Sequence, residues 1–110
     1  MSIPHTGQFH RHQAYVTKVG TSTTVRLTSY QSVVADFIPS VNNSKNHVIL
    51  YPRWQYSVST VRQVTRFLSE CSGMWYSVDE LRKLAKQQDK GLLPISGNCL
   101  FTFSNEYPRG

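Results

Sequence analysis

The order of segments in this chain predicts an α+β fold: a small antiparallel sheet of four to five strands with two α-helices packed on one face. Three observations carry that prediction. The first half holds short β-branched runs bounded by Gly, Pro, Asn or Ser. The second half holds two segments whose apolar residues recur at helical spacing between clear start and stop signals. A last apolar run, Cys99 to Phe103, closes the chain, and hairpins followed by helices make an α+β layer arrangement.

Gln13 to Val19 alternates polar and apolar residues, and Thr23 to Thr28 does the same with Val25 and Leu27 on one face. Gly20, Thr21 and Ser22 between them supply turn chemistry, so the pair is expected to form a β-hairpin. Ser32 to Ile38 is a third strand, ended by Pro39; its length and β-branched residues favour strand over helix. Ser40 to Asn46 has loop composition, and His47 to Tyr51 is a short buried strand ended by Pro52. Asp36 is an acid inside an otherwise apolar strand, and its expected fates are solvent exposure or pairing with Arg26.

The first helix has Ser57 or Ser59 as its cap and Gly73 as its stop. Val61, Val64, Phe67, Leu68 and Cys71 fall on one face. In the second helix Ser77 and Glu80 have the spacing of a capping box, and Tyr76 and Leu81 that of a hydrophobic staple. Asp79 and Glu80 in its first turn, with Lys86 and Lys90 near its end, complement the helix dipole. Leu81, Leu84 and Ala85 form its apolar face; Gly91 ends it and Pro94 prevents a restart.

At 110 residues the chain is one domain. Residues 1–12 are expected to be a flexible N-terminal arm, 13–104 the α+β domain and 105–110 a tail. Twelve Lys and Arg against six Asp and Glu give a net charge of +6 and a pI of about 9.6. Such a balance attracts polyanions or serves solubility. Cys71 and Cys99 lie far apart with no CxxC, the pattern of two buried free thiols in a reducing compartment. With no apolar run long enough for a membrane span and no secretory signal at the N-terminus, the expected location is the cytoplasm of a bacterial host cell, with no membrane partner.

The chemistry-bearing residues do not assemble into an enzyme signature. His5, His10 and His12 crowd the polar N-terminus without Cys or acidic partners, so no metal site is expected. There is no Gly-x-Ser-x-Gly elbow, no phosphate-binding glycine loop and too few unassigned acids for paired-carboxylate chemistry. The expectation is therefore no catalytic residues and no cofactor.

Arginines interleave with aromatics where the strand ending at Tyr51 meets the first helix. Arg53, Trp54, Tyr56, Arg62 and Arg66 have the residue types needed to neutralise phosphates and stack unpaired bases. Trp54 and Tyr56 can equally fill the core beneath the junction. Arg82, Lys83 and Lys86 form a second basic set on the outer side of the second helix, where a plain solvated surface is the alternative. Met74, Trp75 and Tyr76 between the helices either close the core or offer Trp75 to a partner.

Ser29-Tyr30 followed by Val33, Val34 and Ala35, then Trp54-x-Tyr56-Ser57-x-x-Thr60 leading into Phe67-Leu68, resembles a pattern in small phage and mobile-element proteins grouped as a domain of unknown function. The resemblance spans Ser29 to Leu68. This chain departs from the pattern in a longer Asn-Ser-Lys loop before His47 and an extended C-terminal half. The resemblance carries no catalytic residues. It implies a non-enzymatic binding protein that inhibits a host protein or nucleoprotein machine, for example a CRISPR defence. The alternative is a direct, weakly sequence-specific DNA- or RNA-binding protein. A homodimer is compatible with either.

Overall fold

The computed structural model describes residues 7–9, 14–40 and 44–108, and of residues 7–9 the backbone alone. Along the chain the elements are β1 (Gly7–Phe9), β2 (Ala14–Lys18), β3 (Val25–Ser29), β4 (Ser32–Ile38), β5 (Asn46–Leu50), α1 (Val58–Ser72), α2 (Val78–Asp89), β6 (Ile95–Ser96) and β7 (Cys99–Phe103). They build the expected α+β fold, one sheet with two helices packed against it. Among the described residues the sheet has seven strands in the order β1-β2-β3-β4-β5-β7-β6. It is wider than the sequence suggests by two short edge strands, β1 and β6. It is also mixed: β5 and β7 run parallel, from Asn46 beside Cys99 to Leu50 beside Phe103, while every other pair is antiparallel.

β1 lies inside the segment expected to be an arm, where Gly7 to Phe9 pairs with Ala14 to Val16 of β2. The other arm residues, His5, His10 and His12 among them, lie outside the described residues, as do 41–43 of the expected loop and 109–110 of the tail. Asn46 belongs to β5 rather than to that loop. It is buried, and its side-chain oxygen accepts from the Ser40 backbone N–H at 2.8 Å.

Strand alternation sets the two faces of the sheet. Val16, Leu27, Phe37, Val48, Leu50 and Phe101 point to the helix side and are buried with Val64, Phe67 and Leu68 of α1 and Leu81 and Leu84 of α2. The opposite face carries Arg26, Asp36, Ile49 and Thr102 in one cross-strand row. Asp36 does pair with Arg26. Arg26 Nε donates to Asp36 Oδ1 at 2.9 Å and Nη2 to Oδ2 at 3.1 Å, and the Tyr51 hydroxyl donates to Oδ2 at 2.6 Å. The hydrogen bond to Asp36 raises the Arg26 pKa above its ordinary value, while burial and the same carboxylate push Tyr51 up to about 12.

The helix signals act as expected, with two refinements. Ser57, not Ser59, caps α1, accepting from the Thr60 N–H at 3.1 Å, and Gly73 closes it at φ +77°, the left-handed conformation for which glycine is suited. Ser77 caps α2 by accepting from the Glu80 N–H at 3.2 Å. Glu80 does not complete a reciprocal box; its carboxylate accepts from Ser96 Oγ at 2.9 Å and ties α2 to β6. α1 also buries polar residues that its apolar stripe does not announce, chiefly Thr60 and Gln63. Ser29 Oγ donates to Gln63 Oε1 at 2.5 Å and lies 3.3 Å from Thr60 Oγ1, so hydroxyls and an amide cross the helix–sheet boundary there.

Candidate nucleic-acid and partner interface

The junction between β5 and α1 is built on a bulge. The register of β3 against β4 shifts between Leu27 and Thr28, so Leu27 opposes Ala35 and Thr28 opposes Val33, leaving Val34 unopposed. The free Val34 carbonyl accepts from the Tyr51 N–H at 3.0 Å, and two tight turns follow, Trp54 N–H to Tyr51 O at 2.9 Å and Tyr56 N–H to Arg53 O at 3.1 Å. These turns sort the side chains. Trp54 drops into the core, only 5% exposed, with its ring centroid 5.9 Å from that of Phe103. Among the sequence candidates it is therefore a packing residue and not part of a contact surface.

Arg53 and Tyr56 turn outward. Tyr56 is 68% exposed and the Arg53 guanidinium sits 5.1 Å from its ring centroid, a cation–π contact that holds the arginine over the aromatic face. Two further exposed tyrosines each line a recess that Arg53 also lines. Tyr30 comes from the β3–β4 hairpin and lines one small recess with Arg53 and Tyr56, above the buried hydroxyls of Ser29 and Thr60. That recess holds about 20 Å³, room for one water-sized group. On its other side Arg53 lines an open cleft of about 360 Å³ with Gln31, Val33, Tyr107 and Pro108. Tyr107 reaches this place because the tail turns after Phe103: Ser104 N–H donates to Leu50 O at 2.8 Å, and Ser104 Oγ donates to the Glu106 carbonyl at 2.7 Å.

The Tyr30 corner is conformationally costly. Tyr30 and Gln31 have φ of +48° and +71°, a two-residue hairpin turn that normally takes Asn and Gly. Side chains in that region cost of the order of 1–3 kcal/mol each. Neither Tyr30 nor Tyr107 is among the sequence candidates. The first sits where no glycine or asparagine marks a turn, and the second is brought to Arg53 only by the fold of the tail.

The remaining candidates separate into distinct places. Arg62 and Arg82 flank a groove between the starts of the two helices, which also includes Gln55, Val58, Val61 and Val78. Arg66, one turn beyond Arg62, has its Nε 3.7 Å from the Glu70 carboxylate. Lys83 and Lys86 are exposed on α2. Trp75 is 66% exposed on the connection between the helices, beside the exposed Met74, whereas Tyr76 is buried and donates its hydroxyl to the Ser96 carbonyl at 2.8 Å. The three aromatic and Met residues of that connection thus divide, two outward and one inward.

Neither thiol is placed as a nucleophile. Cys71 and Cys99 are both buried, and burial pushes Cys71 up to about 12 and raises Cys99. Among the described residues no three His, Cys, Asp or Glu side chains are grouped to hold a metal ion, and no helix is long and apolar enough to cross a membrane. No protein-family model matches this chain, and no curated protein or solved structure matches it either.

Proposed function

We propose that this protein is a non-enzymatic binding protein that engages single-stranded nucleic acid at the corner formed by Arg53, Tyr30, Tyr56 and Tyr107. The observation that supports this most is the grouping of three exposed tyrosines around one arginine with no ion-pair partner among the described residues, in a chain of net charge +6. Exposed aromatic faces stack unpaired bases of any sequence, and the guanidinium meets a phosphate. Duplex DNA hides its base faces, so the single strand is the form these side chains suit. Set beside the resemblance to phage and mobile-element proteins, such binding would serve to obstruct a host nucleoprotein machine such as a CRISPR defence.

The test is binding of a fluorescent oligothymidylate and an oligouridylate, with matched duplexes, at two salt concentrations. The expected result is a preference for single strands and a log–log salt slope of about −0.7 per phosphate engaged. Tyr56→Ala should remove a stacking contact worth roughly 1–3 kcal/mol, or about 5- to 150-fold in affinity. Absence of salt-sensitive binding at low salt, or full affinity in Tyr56→Ala with Arg53→Glu, would overturn the reading.

A second reading has an observation of its own. Trp75, exposed beside Met74, is the kind of aromatic anchor that dominates protein interfaces. Docking on a host protein through this pair predicts a complex that Trp75→Ala weakens and Tyr56→Ala leaves alone.

A further inference from the structure

The groove between the two helix starts has a chemistry different from that of the tyrosine corner. Both helices begin with valine, Val58 and Val78, although the first turn of a helix favours polar and acidic residues. Val58 is 69% exposed, and with the half-buried Val61 and Val78 it makes an aliphatic floor. Helix formation gains nothing from a β-branched side chain left in water at that position. The volume of the open groove as a whole, about 410 Å³, is within the range of sites that hold a ligand.

Two arginines border this floor. Arg62 has no ion-pair partner among the described residues. Arg82 is held in place by Gln55, whose Oε1 accepts from its Nε at 3.1 Å, and the carboxylate of the almost fully exposed Asp79 is 3.9 Å away. It is positioned without being neutralised. Among the described residues no aromatic side chain lines the groove, so a nucleobase finds no face to stack on there. A second copy of this chain is poorly suited to fill it: the chain holds only six acids, and Asp36, Glu70 and Glu80 are already engaged by Arg26, Arg66 and Ser96.

We infer that this groove binds an acidic peptide segment of a partner protein, one that offers a large apolar side chain to Val58, Val61 and Val78 and carboxylates on either side of it to Arg62 and Arg82. An apolar anchor fixes the register, and the flanking charges steer the encounter toward a chain of net charge +6. The site is separate from the tyrosine corner and stands or falls apart from it.

The experiment titrates the full chain with three fluorescent peptides: DELFED, its neutral counterpart NQLFQN, and DEAAED, which lacks the anchor. Valine methyl spectra recorded in parallel locate the contact. DELFED is expected to bind at least tenfold more tightly than either control and to shift the methyls of Val58, Val61 and Val78. Arg62→Gln with Arg82→Gln should weaken it at least tenfold, and Val58→Asp should do the same by placing a like charge in the floor. All three substitutions are at exposed positions, so a thermal midpoint no lower than the parent's is expected and verifies that the variants are folded. Arg53→Gln should leave peptide binding intact. The inference is overturned if DELFED shows no saturable binding, if NQLFQN binds equally well, if the double arginine variant retains full affinity, or if Arg53→Gln weakens the peptide as much as the groove substitutions do.

Discussion

Replacing Asp36 with alanine should be among the most damaging single changes on the sheet face opposite the helices. Its side chain is 5% exposed and accepts two hydrogen bonds from Arg26, itself 16% exposed, and one from the Tyr51 hydroxyl. Truncation leaves a guanidinium and a phenol with no acceptor in a largely dry place. Breaking a buried ion pair from one side costs about 3–5 kcal/mol. Arg26 keeps some contact with water, so the lower end, about 3 kcal/mol, is expected for Asp36→Ala. For a domain of this length, at roughly 4 °C per kcal/mol, that is a fall of about 12 °C in Tm. Urea denaturation followed by the fluorescence of buried Trp54 reads the change directly. The triple variant Arg26→Met, Asp36→Leu, Tyr51→Phe is the companion measurement. Removing the polar groups together should leave stability within about 1–2 kcal/mol of the parent. A loss below about 1 kcal/mol in Asp36→Ala would show that the pair behaves as a solvated surface bridge. A triple variant as unstable as the single one would show that packing, not the orphaned charge, carries the loss.

The two tryptophans should separate cleanly: Trp54→Ala is expected to cost about 3–5 kcal/mol by leaving a cavity beside Phe103, while Trp75→Ala should stay within roughly 0.5 kcal/mol of the parent, both by chemical denaturation. Replacing Tyr30-Gln31 with Asn-Gly should raise stability by about 1–2 kcal/mol and lower affinity for single-stranded oligonucleotide, and a neutral or lower stability would mean that the turn stores no strain. Stability should decline as pH rises above 9. Tyr51 and Cys71 each have a folded pKa of about 12, above their ordinary values near 10 and 9, so each ionises first in the unfolded chain and the native state loses ground between those values. Urea melts at pH 7, 9 and 10.5 measure this, and a flat profile would contradict the burial of these groups. Both cysteines should resist alkylation in the native protein at pH 8 and react in urea, as counted by mass spectrometry.

What could be read from the sequence was mostly local. Ser57, Gly73 and Ser77 act within one helical turn of where they stand, so their signals did not depend on the rest of the fold. The pairing of Asp36 with Arg26 was legible because an acid in an apolar strand needs a partner, and a cross-strand neighbour is the nearest source. β1 and β6 were not legible, being edge strands of three and two residues whose order comes from pairing rather than propensity. The parallel register of β7 on β5 joins residues about fifty positions apart, and no local pattern encodes that. The site shows the same division. Arg53 and Tyr56 were visible as neighbours in one segment, whereas Tyr30 and Tyr107 meet them only through a hairpin and a tail. Trp54 and Trp75 look alike in sequence, and only the turns after Tyr51 send the first inward.

The parallel pairing of β5 with β7 also governs when this protein can exist in a cell. Both helices and β6 lie between the two strands in the chain, so Leu50 waits for Phe103 while about fifty further residues are made. The N-terminal meander can pair as it emerges, but the core around Leu50, Trp54 and Phe101 closes only once β7 has emerged as well. The nascent chain therefore carries an unpaired β5 edge while α1, α2 and β6 are being made. A stop codon before Cys99 would leave β5 without its partner strand and yield a species held in that open state, a substrate for proteases and chaperones rather than a shortened version of the domain.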